Sequence, residues 1–164
     1  MVKDVFSASL AGSASLMAFA VAPAAYAGGD AHSNEAFEPH WIGGVFLGVT
    51  DTKYSTEPTY GLEAEYRATK RIGVGAVVEY LPDAGDGHEA TLVLGEVHYH
   101  TDIGLRFIGG AGRDYHHGDE KPVWRLGAAY DFHVGDFHIS PMTAIDFLED
   151  DENFVAGMAF AKRF

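Results

Sequence analysis

Three short stretches hold residues that could do chemistry. In "EVHYH", Glu96, His98 and His100 recur at every second position, which on a strand places all three on one face. His-x-His on a strand is a metal-ligand spacing. Zinc would need a third or fourth ligand from a neighbouring strand, with Glu79 or Arg106 nearest by topology, and Arg106 would oppose a cation. A histidine network that helps neutralise Glu96 uses the same residues without a metal. In "FHIS", His138 and Ser140 share a strand face and Glu152 follows in an acidic stretch, the residue types of a base, a nucleophile and an orienting acid. In "HHGDE", His116, His117, Asp119 and Glu120 offer imidazoles suited to Zn²⁺ or Cu²⁺ and carboxylates suited to Ca²⁺ or Mg²⁺.

The elements that must position these groups are strands. From Trp41 onward the chain repeats one plan, alternating segments of roughly ten residues separated by turn residues. Eight are expected, at 41–50, 59–68, 71–81, 90–100, 103–115, 122–133, 137–148 and 154–164. No window carries a 3.6-residue period, and glycines such as Gly73, Gly75, Gly109 and Gly110 would weaken a helix. The joints alternate. Thr69-Lys70, Thr101-Asp102 and Val134-Gly135-Asp136 read as tight turns, whereas "DTKYSTEP", "PDAGDGHE", "HHGDEKP" and "EDDEN" read as longer loops. In a meander, joints of one parity share an end, so the longer loops should form one rim. That rim would carry Asp51, Glu57, Asp83, Asp86, His88, Glu89, Asp114, Glu149, Asp150, Asp151 and the "HHGDE" residues.

Each strand sorts its residues onto two faces. One set is apolar with aromatic ends, for example Tyr60, Leu62, Ala64 and Tyr66, or Trp124, Leu126, Ala128, Tyr130 and Phe132. The other holds Glu63, Glu65, Arg67, Glu79, Glu96, His98, His100, Arg106, Arg125, Asp131, His133, His138 and Asp146. A soluble barrel would turn the first set inward, and a transmembrane barrel would turn it to lipid.

The other end of the chain bears on that choice. Residues 1–27, with Lys3, an apolar run around "LMAFAV" and Ala25-Tyr26-Ala27, read as a signal peptide cut before Gly28. Residues 28–40 have no apolar period and read as a mobile N-terminal segment, leaving 41–164 as one barrel domain. The chain has no cysteine, so disulfides cannot stabilise it and a lipoprotein anchor is excluded. A formal charge of −13 argues against nucleic acid as a partner. Export, an even strand number, aromatic segment ends and alternating joints together favour the transmembrane assignment.

On these residues, 41–164 resembles the small eight-stranded outer-membrane β-barrels of Gram-negative bacteria, including the OmpA-like barrel domains. The resemblance implies an all-β, antiparallel, up-and-down transmembrane barrel in the cell outer membrane. It also implies that the alternating last strand, with Phe154, Met158, Phe160 and Phe164 on one face, carries the signal read by the barrel-assembly machinery. Lys162 departs from the apolar residue usual there, and its long stem can reach the headgroup layer. The His138-x-Ser140 pair with Glu152 also resembles the outer-membrane lipid A deacylases. Pro141 stands where that family has Asn, and strand parity puts the pair in the lumen instead of facing lipid.

An eight-stranded barrel has an interior that side chains can fill, so charges inside must pair. The expectation is a monomeric, non-catalytic barrel with a charged, packed lumen and a structural or surface-interaction role. No cofactor is expected. Its partners would be outer-membrane lipid and lipopolysaccharide, with divalent cations at the acidic rim. The alternatives are a deacylase-like enzyme of lipid A, a narrow ion or small-solute channel, and a soluble periplasmic ligand-binding barrel.

Overall fold

The structure, a computed structural model, describes residues 37–84, 87–149 and 151–164. The segment expected as a signal peptide, 1–27, most of 28–40, Asp86 and Asp150 lie outside the described residues.

The alternating segments form β1 (His40–Asp51), β2 (Thr56–Arg67), β3 (Ile72–Leu81), β4 (Ala90–His100), β5 (Leu105–His116), β6 (Asp119–Tyr130), β7 (Phe132–Val134), β8 (Phe137–Phe147) and β9 (Glu152–Arg163). Consecutive strands pair antiparallel, as strands joined by short turns do, except that β6 pairs with β8 and not with β7. β6 and β7 are two parts of one barrel strand. It breaks at Asp131, whose amide donates to Gly104 O at 2.8 Å, while β7 continues alongside β8. The eight barrel strands close on themselves because β1 pairs with β9, from Ile42↔Arg163 to Asp51↔Phe154. One further bond extends that seam, from the Phe164 amide to Trp41 O at 2.9 Å. Closure pairs the first barrel strand with the last, so neither is left as an edge strand.

The period of two then decides the faces. Trp41, Val45, Leu62, Val74, Val97, Trp124 and Leu126 are all exposed on the outside, and Glu79, Glu96, His98, Arg125 and Asp146 are buried inside. On β9 Phe154, Met158 and Phe160 are exposed on the outside, as is Phe164 just past its end, while Val155, Ala159 and Ala161 point in. The Lys162 ammonium lies 5.7 Å from the Phe137 ring centroid and 5.6 Å from that of Phe164, so its charge is held against aromatic faces at the barrel end.

The joints differ from expectation. The rim is built mostly of strand, because pairing runs on past the apolar belt: His116 pairs with Asp119, leaving only His117 and Gly118 in the β5–β6 turn. Both have positive φ, 57° and 83°, the geometry of a two-residue hairpin turn. Thr52–Ser55 and residues 148–151 are likewise four-residue connections, and only 82–89 is longer.

The interior is not wholly charged. Phe46, Ile108, Ala129, Met142, Ala144 and Val155 form one buried apolar cluster, and Val77, Leu92, Leu94 and Val123 another. Phe46 fits because its neighbours lack side chains. A Cβ on Gly48 or Gly157 would overlap the Phe46 ring.

Candidate functional site

Two polar clusters fill the remaining lumen. At the waist, Arg125 of β6 reaches two strands. It donates from Nη1 and Nη2 to the two Glu79 oxygens of β3 (2.5 and 2.7 Å), and from Nε and Nη2 to those of Asp146 on β8 (2.6 and 2.7 Å). Asp146 is the direct cross-strand partner of Arg125, but Glu79 is three strands away, with β4 and β5 between, so this second pair crosses the lumen. The planar fork of arginine allows both bidentate contacts at once. Glu96 lies 3.8 Å from Arg125 Nη1 and links this group to the next.

The second cluster lies toward the end that carries the chain terminus. His98 of β4 sits between two carboxylates, with Nδ1 2.8 Å from Glu65 Oε2 and Nε2 3.0 Å from Glu96 Oε2. His100 repeats the arrangement, with Nε2 2.8 Å from Glu65 Oε1 and Nδ1 3.4 Å from Asp131 Oδ2. Arg106 completes the group, 3.3 Å from Asp131 and 3.8 Å from Glu65, with a buried Nε that has no hydrogen-bond partner. Glu65 belongs to β2, and β3 stands between it and the histidines. Its carboxylate passes over Gly73, where a Cβ would overlap it. Topology marks Glu79 and Arg106 as the groups nearest the histidines, and Arg106 is there, its Nη1 3.4 Å from His98 Nδ1. Glu79 instead engages Arg125, and Glu65 is the carboxylate that arrives, a contact that depends on the absent side chain of β3.

Three expected lumen charges stand apart from these clusters. Glu63 is half-buried and has no ion pair within 4.0 Å among the described residues. Arg67 donates to Lys70 O (2.9 Å) and leaves its Nε without a partner. His133 is exposed, its ring 4.4 Å from that of its cross-strand partner His138.

The candidate triad is not assembled. Ser140 Oγ donates to Asp131 Oδ1 at 2.8 Å, and His138 meets His133. Glu152 starts β9 at the opposite end, whereas His138 pairs with Ala161. Nine residues of strand between Glu152 and Ala161 span about 30 Å.

Of the "HHGDE" residues, His116, His117 and Asp119 line one cavity at the rim, and Glu120 does not join them. The His117 ring lies 3.5 Å from that of His88 and 4.7 Å from that of His116, while Glu120 pairs with Arg113 at 3.0 Å. Tyr115 faces Glu120 in the ladder, so Glu120 lies on the outer face, opposite to the His116–Asp119 pair. Elsewhere on the rim Lys53 pairs with Asp151 (2.7 Å), and Asp51 accepts from Thr56 Oγ1 (2.7 Å). A cavity of about 520 Å³ opens among these residues, floored by Glu79 and Asp146 and walled by Leu81, Leu92 and Val123.

Solved structures share the closed eight-stranded antiparallel barrel. The crystal structure of Ail, the attachment invasion locus protein of Yersinia pestis, matches with a TM-score of 0.53 at 14% identity, over 79% of this chain and 100% of that one. The N-terminal β-barrel domain of Pseudomonas aeruginosa OprF matches with a TM-score of 0.55 at 14% identity, over 77% and 100%. Neisserial surface protein A matches with a TM-score of 0.50 at 7% identity, over 77% and 97%. The chain has the fold of the small eight-stranded outer-membrane barrels. No protein-family model and no curated protein sequence matches it. At these identities the likeness concerns the barrel itself, and the lumen residues above are this chain's own.

Proposed function

We propose that the chain is an exported outer-membrane barrel of a Gram-negative cell, with a structural or surface-interaction role and no catalytic one. Residues 1–27 would be the export signal, 28–40 a lead-in and 41–164 the membrane domain. The observation that carries this reading is the polarity of the barrel. Leu62, Val97 and Leu126 are more than half exposed, while Arg125 and Glu79 are each 1% exposed. A soluble barrel arranged this way would present a continuous apolar belt to water.

The crossing of the lumen by Arg125 and Glu79 supports a packed interior over a conducting one. Phe160 and Phe164, outward at the end of β9, would be read by the assembly machinery, and the barrel would act as a monomer among lipid and lipopolysaccharide. Ail has been crystallised with the heparin analogue sucrose octasulfate. The carboxylates at this chain's rim, among them Asp51, Asp119 and Asp151, favour instead divalent cations that bridge to lipopolysaccharide phosphates.

Cell fractionation with unboiled and boiled gel migration tests the proposal. Outer-membrane recovery with heat-modifiable migration is expected, with unchanged lipid A in cells expressing the protein and no conductance in planar bilayers. Recovery as a soluble periplasmic protein would overturn it.

A further inference from the structure

The second lumen cluster has a donor arrangement that hydrogen bonding alone does not require. One donor atom from each of Glu65, His98 and His100 lies within 4.8 Å of the others, a spacing that one metal ion can bridge. The ring nitrogens facing Glu65 are His98 Nδ1 and His100 Nε2, each 2.8 Å from a carboxylate oxygen. The remote nitrogens face second carboxylates, His98 Nε2 at Glu96 (3.0 Å) and His100 Nδ1 at Asp131 (3.4 Å). A carboxylate behind each histidine is the outer shell that fixes the tautomer of a metal-binding imidazole, turning the lone pair of the near nitrogen toward the ion.

Charge points the same way. The lumen-facing carboxylates Glu63, Glu65, Glu79, Glu96, Asp131 and Asp146 outnumber the guanidiniums Arg67, Arg106 and Arg125, so the interior needs further positive charge. Arg106 opposes a cation most directly, 3.4 Å from His98 Nδ1. Its buried Nε already lies 3.3 Å from Asp131 Oδ1, short of hydrogen-bond geometry, so Asp131 can hold the guanidinium when it gives up Glu65.

We propose that Glu65, His98 and His100 form a lumenal site for a divalent transition-metal ion of the zinc class, with Glu96 and Asp131 as its outer shell. Two imidazoles and one carboxylate suit Zn²⁺ and leave a fourth position for water. Calcium and magnesium, which take all-oxygen sets, are disfavoured here. The site is separate from the rim, where divalent cations would meet lipopolysaccharide.

The test uses the full barrel, extracted in detergent, stripped with chelator and titrated with Zn²⁺ by calorimetry. The starting variant replaces His88, His116 and His117 together by Gln, removing the rim imidazoles while leaving the lumen intact. One Zn²⁺ per chain should still bind, and absence of binding in this background overturns the proposal. Within it, His98→Gln and His100→Gln should abolish binding. Glu96→Gln should weaken it about 10- to 100-fold, as outer-shell substitutions do. Arg106→Gln should tighten binding by removing the opposing charge, an outcome that a purely structural role would not produce. Binding that survives both histidine substitutions in barrels that still show heat-modifiable migration also overturns it.

Discussion

Arg125 and Glu79 lie 46 residues apart in sequence and are joined by two parallel hydrogen bonds of 2.5 and 2.7 Å across the barrel lumen. Neither strand neighbours the other, so the pair ties β3 to β6 without help from the backbone ladder. Arg125→Ala leaves Glu79 and Asp146 buried and facing each other without a cation. Breaking a buried pair in this way costs about 3–5 kcal/mol. Urea unfolding in lipid vesicles should show that loss, and planar bilayers should show conductance steps that the wild-type barrel lacks. A loss below about 1 kcal/mol, the range of a surface pair, would mean that Arg125 does not brace the lumen.

Gly73 is needed because Glu65 lies over it. A methyl group there would push the carboxylate away from His98 and His100, and Glu65 cannot yield without giving up both bonds. Gly73→Ala is expected to destabilise the barrel by about 1–3 kcal/mol, the usual cost of overpacking. Gly95→Ala, whose Cβ would meet only Ala111 O at 3.9 Å, is the control and should be close to neutral.

Phe46 is the largest apolar side chain buried in the lumen, at 1% exposure. Phe46→Ala should cost about 3–5 kcal/mol, because the glycines beneath the ring have nothing with which to fill the cavity. Phe46→Leu should recover most of that loss in the same unfolding assay. Equal losses for the two substitutions would show that the ring is not a packing element.

At the end opposite the rim, Asp102 accepts from Arg71 at 3.1 Å and pairs with Lys70 at 2.9 Å, linking two turns. Lys70 first, and then Arg71, hold its carboxyl below the usual Asp value. A lowered folded value means that the contribution is fully present above the unfolded pKa and is lost as pH falls through the folded one. Asp102→Asn should therefore lower the melting temperature slightly at neutral pH and in low salt, and not at all once pH drops below the folded value. A difference that persists in acid would rule out the ionic origin.

Much of this protein is legible along the chain because a strand has only two faces. The alternation of Leu62, Ala64 and Tyr66 with Glu63, Glu65 and Arg67 specifies strand and face together, and a run of such segments specifies a sheet. Turn residues then place the joints to within a few positions. His117-Gly118 shows where that reading falls short. Polar composition resembled a long loop, but hydrogen bonding carried the ladder on to a two-residue turn.

Partners inside the lumen were decided by the closed barrel alone. Strand periodicity says that Glu65, Glu79, His98 and Arg125 face inward, but it carries no information about which inward groups meet. Those distances depend on register, on curvature, and on which intervening positions lack a side chain. Glu65 reaches His98 because Gly73 is bare, and Arg125 reaches Glu79 because closure brings β6 within an arginine's length of β3. His138 and Glu152 fail to meet for a simpler reason, since antiparallel β8 and β9 place them at opposite ends of the barrel. Sequence spacing measures distance along a strand, whereas chemistry inside a barrel depends on distance across it.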